Sequence, residues 1–152
     1  MHSYSGMVYC IAIWGCTWPS FLDKLLKAQK RILRIISFKK KFESTEGIFS
    51  NLKLLKLNYI HKYFLLLDIF KSVNNNDGIF NIQEHPHATR RNHVNLSSRP
   101  FRTTLFRNSI FYLGPEVWNS LPVSLKSEVT SMPINSFKYK IKQHFYHLQS
   151  TE

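Results

Sequence analysis

Lysine and arginine are the side chains whose spacing first suggests chemistry. Lys24, Lys27, Lys30, Arg31 and Arg34 recur at short helical steps, and Lys39-Lys40-Lys41 follows directly. On a helix such steps gather the cations on one face, with a pitch that can follow a phosphate backbone. A second group, Arg90, Arg91, Arg99, Arg102 and Arg107, lies with His85, His87 and His93 in a stretch that has no acid between Glu84 and Glu116. Arginine forks offer bidentate hydrogen bonds to phosphate, and Phe101, Phe106, Phe111 and Tyr112 stand among them as rings able to stack on bases. A solvated basic face with the rings in a core is the opposing reading, and for the rings alone burial is the expectation. For the cations the total decides. Lys plus Arg number 21 against 9 Asp plus Glu, a formal net charge of +12 on 152 residues that favours a polyanionic partner.

Other chemistries find less to work with. Two-metal phosphoryl transfer needs carboxylates clustered around ions about 4 Å apart, and glycoside hydrolysis needs an opposed carboxylate pair. The nine acids are scattered, and Glu43 with Glu46 reads as a helix-start pair. His85, His87 and His93 form a weak metal signal and read as polar loop residues. Cys10 and Cys16 sit in an apolar segment at a spacing that matches no zinc pattern, so they read as small buried hydrophobes. No positive group precedes Lys24 to activate either thiol, and Gly78 and Gly114 are isolated turn glycines rather than a phosphate loop. The expectation is therefore no catalytic residue, no metal site and no cofactor in this chain.

Periodicity supplies the framework that would carry these cations. Ser20 is placed to cap a helix running from about residue 19 to 38, with Leu22, Leu25, Leu26, Gln29, Leu33 and Ile36 as its apolar stripe. A short amphipathic piece carries Ile48, Phe49, Leu52 and Leu55. Asn58 is placed to cap a helix over 59–73 that is apolar nearly all round and should form the hydrophobic axis, stopped by Asn74-Asn75-Asn76-Asp77-Gly78. Residues 85–115 lose helical periodicity, and 101–106 with 109–113 have the composition of a small hairpin. Pro115 suits the first turn of a short helix over 116–121. Ile134, Phe137, Ile141, Phe145 and Leu148 mark a final helix over 133–148, with Lys138, Lys140 and Lys142 on its solvated side. The fold class expected is mainly α, with a small β-hairpin or irregular insertion around residues 93–113.

With 43% hydrophobic and 14% aromatic residues, the composition excludes a fully disordered basic tail. Two cysteines are too few for a disulfide framework, which points to a reducing, intracellular setting. The apolar stretch over 7–18 lacks a charged flank and is shorter than the ~20 residues that span a bilayer, so neither a signal peptide nor a membrane anchor is expected.

A set of short motifs occurs in order: Tyr9-Cys-Ile-Ala-Ile-Trp14-Gly15, Leu26-Lys-Ala-Gln29-Lys30-Arg31-Ile-Leu33-Arg34-Ile35, Leu52-Lys-Leu-Leu-Lys56-Leu57, His87-Ala-Thr89-Arg90 and Pro100-Phe-Arg102-Thr103. Ser109-Ile110-Phe-Tyr112-Leu-Gly114-Pro115-Glu-Val-Trp118-Asn119-Ser-Leu121-Pro122 and Phe137-Lys138 complete it. Over nearly its whole length the chain resembles the carboxy-terminal region of a reverse transcriptase from a non-long-terminal-repeat, jockey-like retrotransposon. The resemblance implies an RNA-directed DNA polymerase that copies element RNA at a nicked chromosomal target, acting in the nucleus. It implies a helical thumb-like region over 1–78, a basic loop and short-strand region over 79–114 and carboxy-terminal helices over 115–152. The family's palm, with its Asp-Asp motif and its need for Mg, and its endonuclease would precede Met1, so no catalytic residue carries over. The expected partners are an RNA or DNA backbone and the missing palm, with no membrane. The alternatives are a small basic nucleic-acid-binding protein, or a non-catalytic interaction or structural remnant in which Val8, Ile11, Ile13 and Trp14 form one exposed patch.

Overall fold

The structure, a computed structural model, describes residues 11–16, 18–80, 95–127, 129 and 131–151. These residues form a mainly α fold: α1 (Ile11–Trp14), α2 (Pro19–Ile36), α3 (Glu46–Asn51), α4 (Leu57–Asn75), α5 (Thr104–Arg107), α6 (Ile110–Asn119), α7 (Val123–Lys126) and α8 (Ile134–Thr151). Among the described residues there is no strand or sheet.

Helix α4, apolar on nearly every side, is the axis of the fold. Leu65, Leu66 and Ile69 of α4 are fully buried, and α1, α2, α6 and α8 all pack on it. Ile11, Leu57, Leu96, Trp118 and Phe137 belong to one continuous core with α4, so its material comes from the whole length of the chain. Phe137 stacks on Phe70 with centroids 4.2 Å apart. A smaller cluster, Leu33, Ile48 and Phe49, sits where α3 meets the far half of α2. Gly114 lets α6 approach α4, since a Cβ there would stand 3.2 Å from Ile69 Cδ1 and 3.1 Å from Phe80 Cε1.

Several local expectations are corrected. Residues 101–113 are not a hairpin: Thr103 accepts the Phe106 N–H through its hydroxyl and starts α5, and Ser109 stands at the N-cap of α6. The β-rich composition of that stretch loses to two helix starts, the first capped by the Thr103 hydroxyl and the second following Ser109, whose hydroxyl donates back to Phe106 O at 2.7 Å. Helix α6 begins well before Pro115 and carries that proline inside it. Ser20 and Asn58 are not caps. Trp18 precedes α2 and Lys56 precedes α4, neither with a side-chain cap bond, and Pro19 itself opens α2. The stop at the end of α4 does come from the asparagine tract, with Asn76 left-handed at φ 52°.

Candidate nucleic-acid interface

Helix α2 divides into three stripes. One faces the core: Leu22, Leu25 and Leu26 are half-buried, and Gln29 and Leu33 are buried. Ile36, expected in that stripe, is 60% exposed because the chain turns away one residue later. The second stripe is basic: Lys24, Lys27 and Arg31 are exposed, Lys30 and Arg34 half-buried. Among the described residues none of these five cations is ion-paired, whereas Lys71 on α4 does meet a carboxylate, that of Asp68. The third stripe is apolar and uncovered, made of Phe21, Ile32 and Ile35. The helix thus presents about 15 Å of cations, from Lys24 to Arg34, beside exposed hydrocarbon.

The end of α2 extends this surface. Lys39 N–H donates to Arg34 O at 2.9 Å and Phe38 N–H to Ile35 O at 3.2 Å, closing the helix with Phe38 in the left-handed region. Arg34 Nε donates to Glu43 O at 2.9 Å and ties the returning loop to the helix. Between these points Phe38, Lys39, Lys40, Lys41 and Phe42 are all solvent-facing, Phe38 and Phe42 almost completely.

The second basic group is more dispersed. Arg99, Arg102 and Arg107 are exposed, and the Arg107 guanidinium lies 5.4 Å from the Phe101 centroid. Phe101 in turn meets Tyr112 edge-on at 5.0 Å. Arg90, Arg91, His85, His87 and His93 lie outside the described residues.

A cleft of about 300 Å³ is lined by Leu22 and Asp23 of α2, His61 and Lys62 of α4, and Asn108, and none of the cations of either basic group lines it. Here the fold makes a pairing that spacing did not suggest: Cys16 Sγ lies 3.6 Å from His61 Nε2. Burial pulls the His61 imidazole down to about 4, with the Lys62 ammonium adding to the effect, and burial pushes the Cys16 thiol up. The pair is therefore a neutral thiol beside a neutral imidazole. It lacks the thiolate that a nucleophile needs. Among the described residues no three His, Cys, Asp or Glu side chains converge on a metal position.

The Trp118-Asn119-Ser-Leu121-Pro122 motif has a plain structural use. Trp118 is fully buried in the core, and the Asn119 amide pairs with one residue of passing chain. It accepts Leu96 N–H at 2.9 Å and donates to Leu96 O at 3.1 Å. Lys126 is buried alongside, its ammonium donating to Asn95 Oδ1 at 2.9 Å and to Asn119 O at 3.0 Å. Comparison of the chain with family models, curated proteins and solved structures gives no match.

The basic stripe follows from local spacing, while two other features of this surface do not. The rings of Phe38 and Phe42 were legible as hydrophobes flanking three lysines, and that was the available signal. The meeting of Cys16 with His61 left none, because it joins residues on separate helical segments.

Proposed function

We propose that this chain is the carboxy-terminal part of an RNA-directed DNA polymerase of a non-long-terminal-repeat retrotransposon, which holds RNA or DNA by its backbone in the nucleus. The observation that carries the binding half of this reading is the α2 basic stripe, whose cations have no carboxylate partner among the described residues. Bare cations along about 15 Å of a helix can neutralise successive phosphates and release their counterions. If about six do so on duplex, the log–log salt slope should be near −5. Filter binding across a salt series measures it. Replacing Lys24, Lys27 and Arg31 together by Gln should flatten the slope by about 3 without lowering the melting temperature. A flat slope for the parent chain, or no binding at low salt, overturns the reading. The polymerase half is tested in the transcript upstream of Met1, where an in-frame palm with its paired aspartates is expected.

One observation favours a second reading, an interaction remnant. Phe21, Ile32 and Ile35 form an uncovered apolar stripe, a feature that marks surfaces packed on another protein. Of the amino-terminal patch that the remnant alternative names, Ile11 is buried on α4 and Trp14 half-buried, while Val8 and the Ile13 side chain lie outside the described residues. On this reading Ile32→Ser with Ile35→Ser abolishes self-association in sedimentation while leaving nucleic-acid affinity unchanged.

A further inference from the structure

Backbone neutralisation leaves the exit of α2 unexplained. Phe38 holds φ at 52°, in the left-handed position where glycine ends a helix without strain and where a bulky side chain is an outlier. Core packing would offset that strain, yet the Phe38 ring is 98% exposed. Phe42 is 91% exposed. Between them stand Lys39, Lys40 and Lys41, with Lys41 Nζ 5.6 Å from the Phe42 centroid. The same association of an exposed ring with its own cation recurs at the other end of α2, where Lys24 lies 5.5 Å from the Phe21 centroid, and on a separate segment, where Arg107 lies over Phe101.

A duplex asks for cations and offers no base face, because its bases are already stacked on one another. An unpaired strand offers a phosphate and a π-face with every nucleotide, and rings set among cations serve both. We propose that Phe38 and Phe42, with Lys39, Lys40 and Lys41 between them, form a stacking clamp for single-stranded RNA at the exit of α2. The clamp rests on the nucleic-acid reading above and narrows it from any phosphate backbone to a strand with free bases. Charge complementarity selects a polyanion, and the rings select one with exposed faces. An anionic bilayer is the competing acceptor for lysine beside phenylalanine.

The experiment uses the full chain and fluorescence anisotropy, with a labelled single-stranded RNA of about 12 nucleotides and the same sequence as a duplex. Phe38→Gly should weaken single-strand binding about tenfold and leave the duplex within about twofold. It should also raise the melting temperature, by up to about 4 °C, because glycine relieves the left-handed position. A ring kept only for the fold would move the melting temperature the other way. Phe42→Ala should show the same tenfold loss with unchanged melting. If both variants bind single strands as the parent does, while duplex binding and its salt slope persist, the clamp is overturned and backbone binding stands. If the parent binds neither form at low salt, the nucleic-acid reading falls and the clamp with it. Sedimentation with phosphatidylserine vesicles, in the absence of any RNA binding, would assign the rings to lipid and overturn the clamp as well.

Discussion

Helices α2 and α3 both end on a non-glycine residue in the left-handed region, Phe38 at φ 52° and Lys53 at φ 49°. The closing bonds match: Leu54 N–H donates to Phe49 O at 2.9 Å and Lys53 N–H to Ser50 O at 3.1 Å, as Lys39 and Phe38 do one helix earlier. Beyond the two turns the chain takes different paths. After Lys53 it runs through residues 54–57 and is gripped from two sides. Gln29 donates to Leu55 O and accepts Leu57 N–H, both at 3.0 Å, while Gln149 accepts Lys56 N–H at 2.8 Å and donates to Leu54 O at 3.2 Å. The Tyr146 hydroxyl donates to Lys53 O. Two glutamines thus supply what neighbouring strands would supply, and backbone groups that α2, α3 and α8 enclose are satisfied without a sheet. After Phe38 the chain enters solvent with three lysines. The same turn serves assembly at one site and, at the other, an exposed basic-aromatic loop that the fold holds only at its far end, where Arg34 Nε donates to Glu43 O.

The contrast is broken most directly at Gln29, which is 6% exposed. Gln29→Ala strands Leu55 O and Leu57 N–H in the interior and should cost about 4 kcal/mol in urea unfolding. Lys27→Ala, two residues away on the exposed side, should change stability by less than about 0.5 kcal/mol. Equal losses would mean that the grip contributes nothing particular. The next effect is acid sensitivity of the buried side. His61 is held at about 4 when folded and returns to 6.5 when unfolded, so the unfolded chain binds the extra proton. Its contribution is fully present above pH 6.5 and is lost as pH falls toward 4, about 3 kcal/mol in all. His61→Gln should flatten the stability profile between those values. Gln149→Ala comes third, at about 2 kcal/mol, because Leu54 and Lys56 are half-buried and water can reach the groups it leaves behind.

These sites show what was legible in the sequence. The axis helix and α8 could be read because burial on all sides and a three-and-four stripe are local patterns; of the α8 stripe Phe137, Ile141 and Phe145 are buried, Ile134 is half-buried, and Leu148 is exposed while Gln149 beside it turns inward. The basic stripe of α2 was legible for the same reason. Gln29 was counted as one member of an apolar stripe, which placed it correctly inward, but its partners lie beyond α3 and no local pattern names them. Asn119 is similar: it stood out within a motif, while its pairing with Leu96 depends on how residues 95–97 cross α6. The 101–113 stretch was misread because aromatic and β-branched residues favour strands only where a neighbouring strand exists to pair with. With none adjacent among the described residues, Thr103 and Ser109 start helices instead.

The smallest effect separates the two helix ends most cleanly. A Cβ in the left-handed region is unfavourable by about 1 kcal/mol, so Lys53→Gly and Phe38→Gly should each gain that much from the backbone. At Lys53 the added freedom of the unfolded chain works against the gain, and the gripped segment beyond it fixes the turn in either case; the net change should be at most about 1 kcal/mol. No binding surface includes Lys53, so affinity for RNA should not move. At Phe38 the backbone gain and the opposing freedom of the unfolded chain are the same, and the exposed ring takes no packing with it, so stability should change equally while single-strand affinity falls. Chemical denaturation and anisotropy on the two variants side by side make the comparison. If Phe38→Gly destabilises where Lys53→Gly stabilises, the ring holds the fold together after all, and the two ends are alike in purpose as well as in geometry.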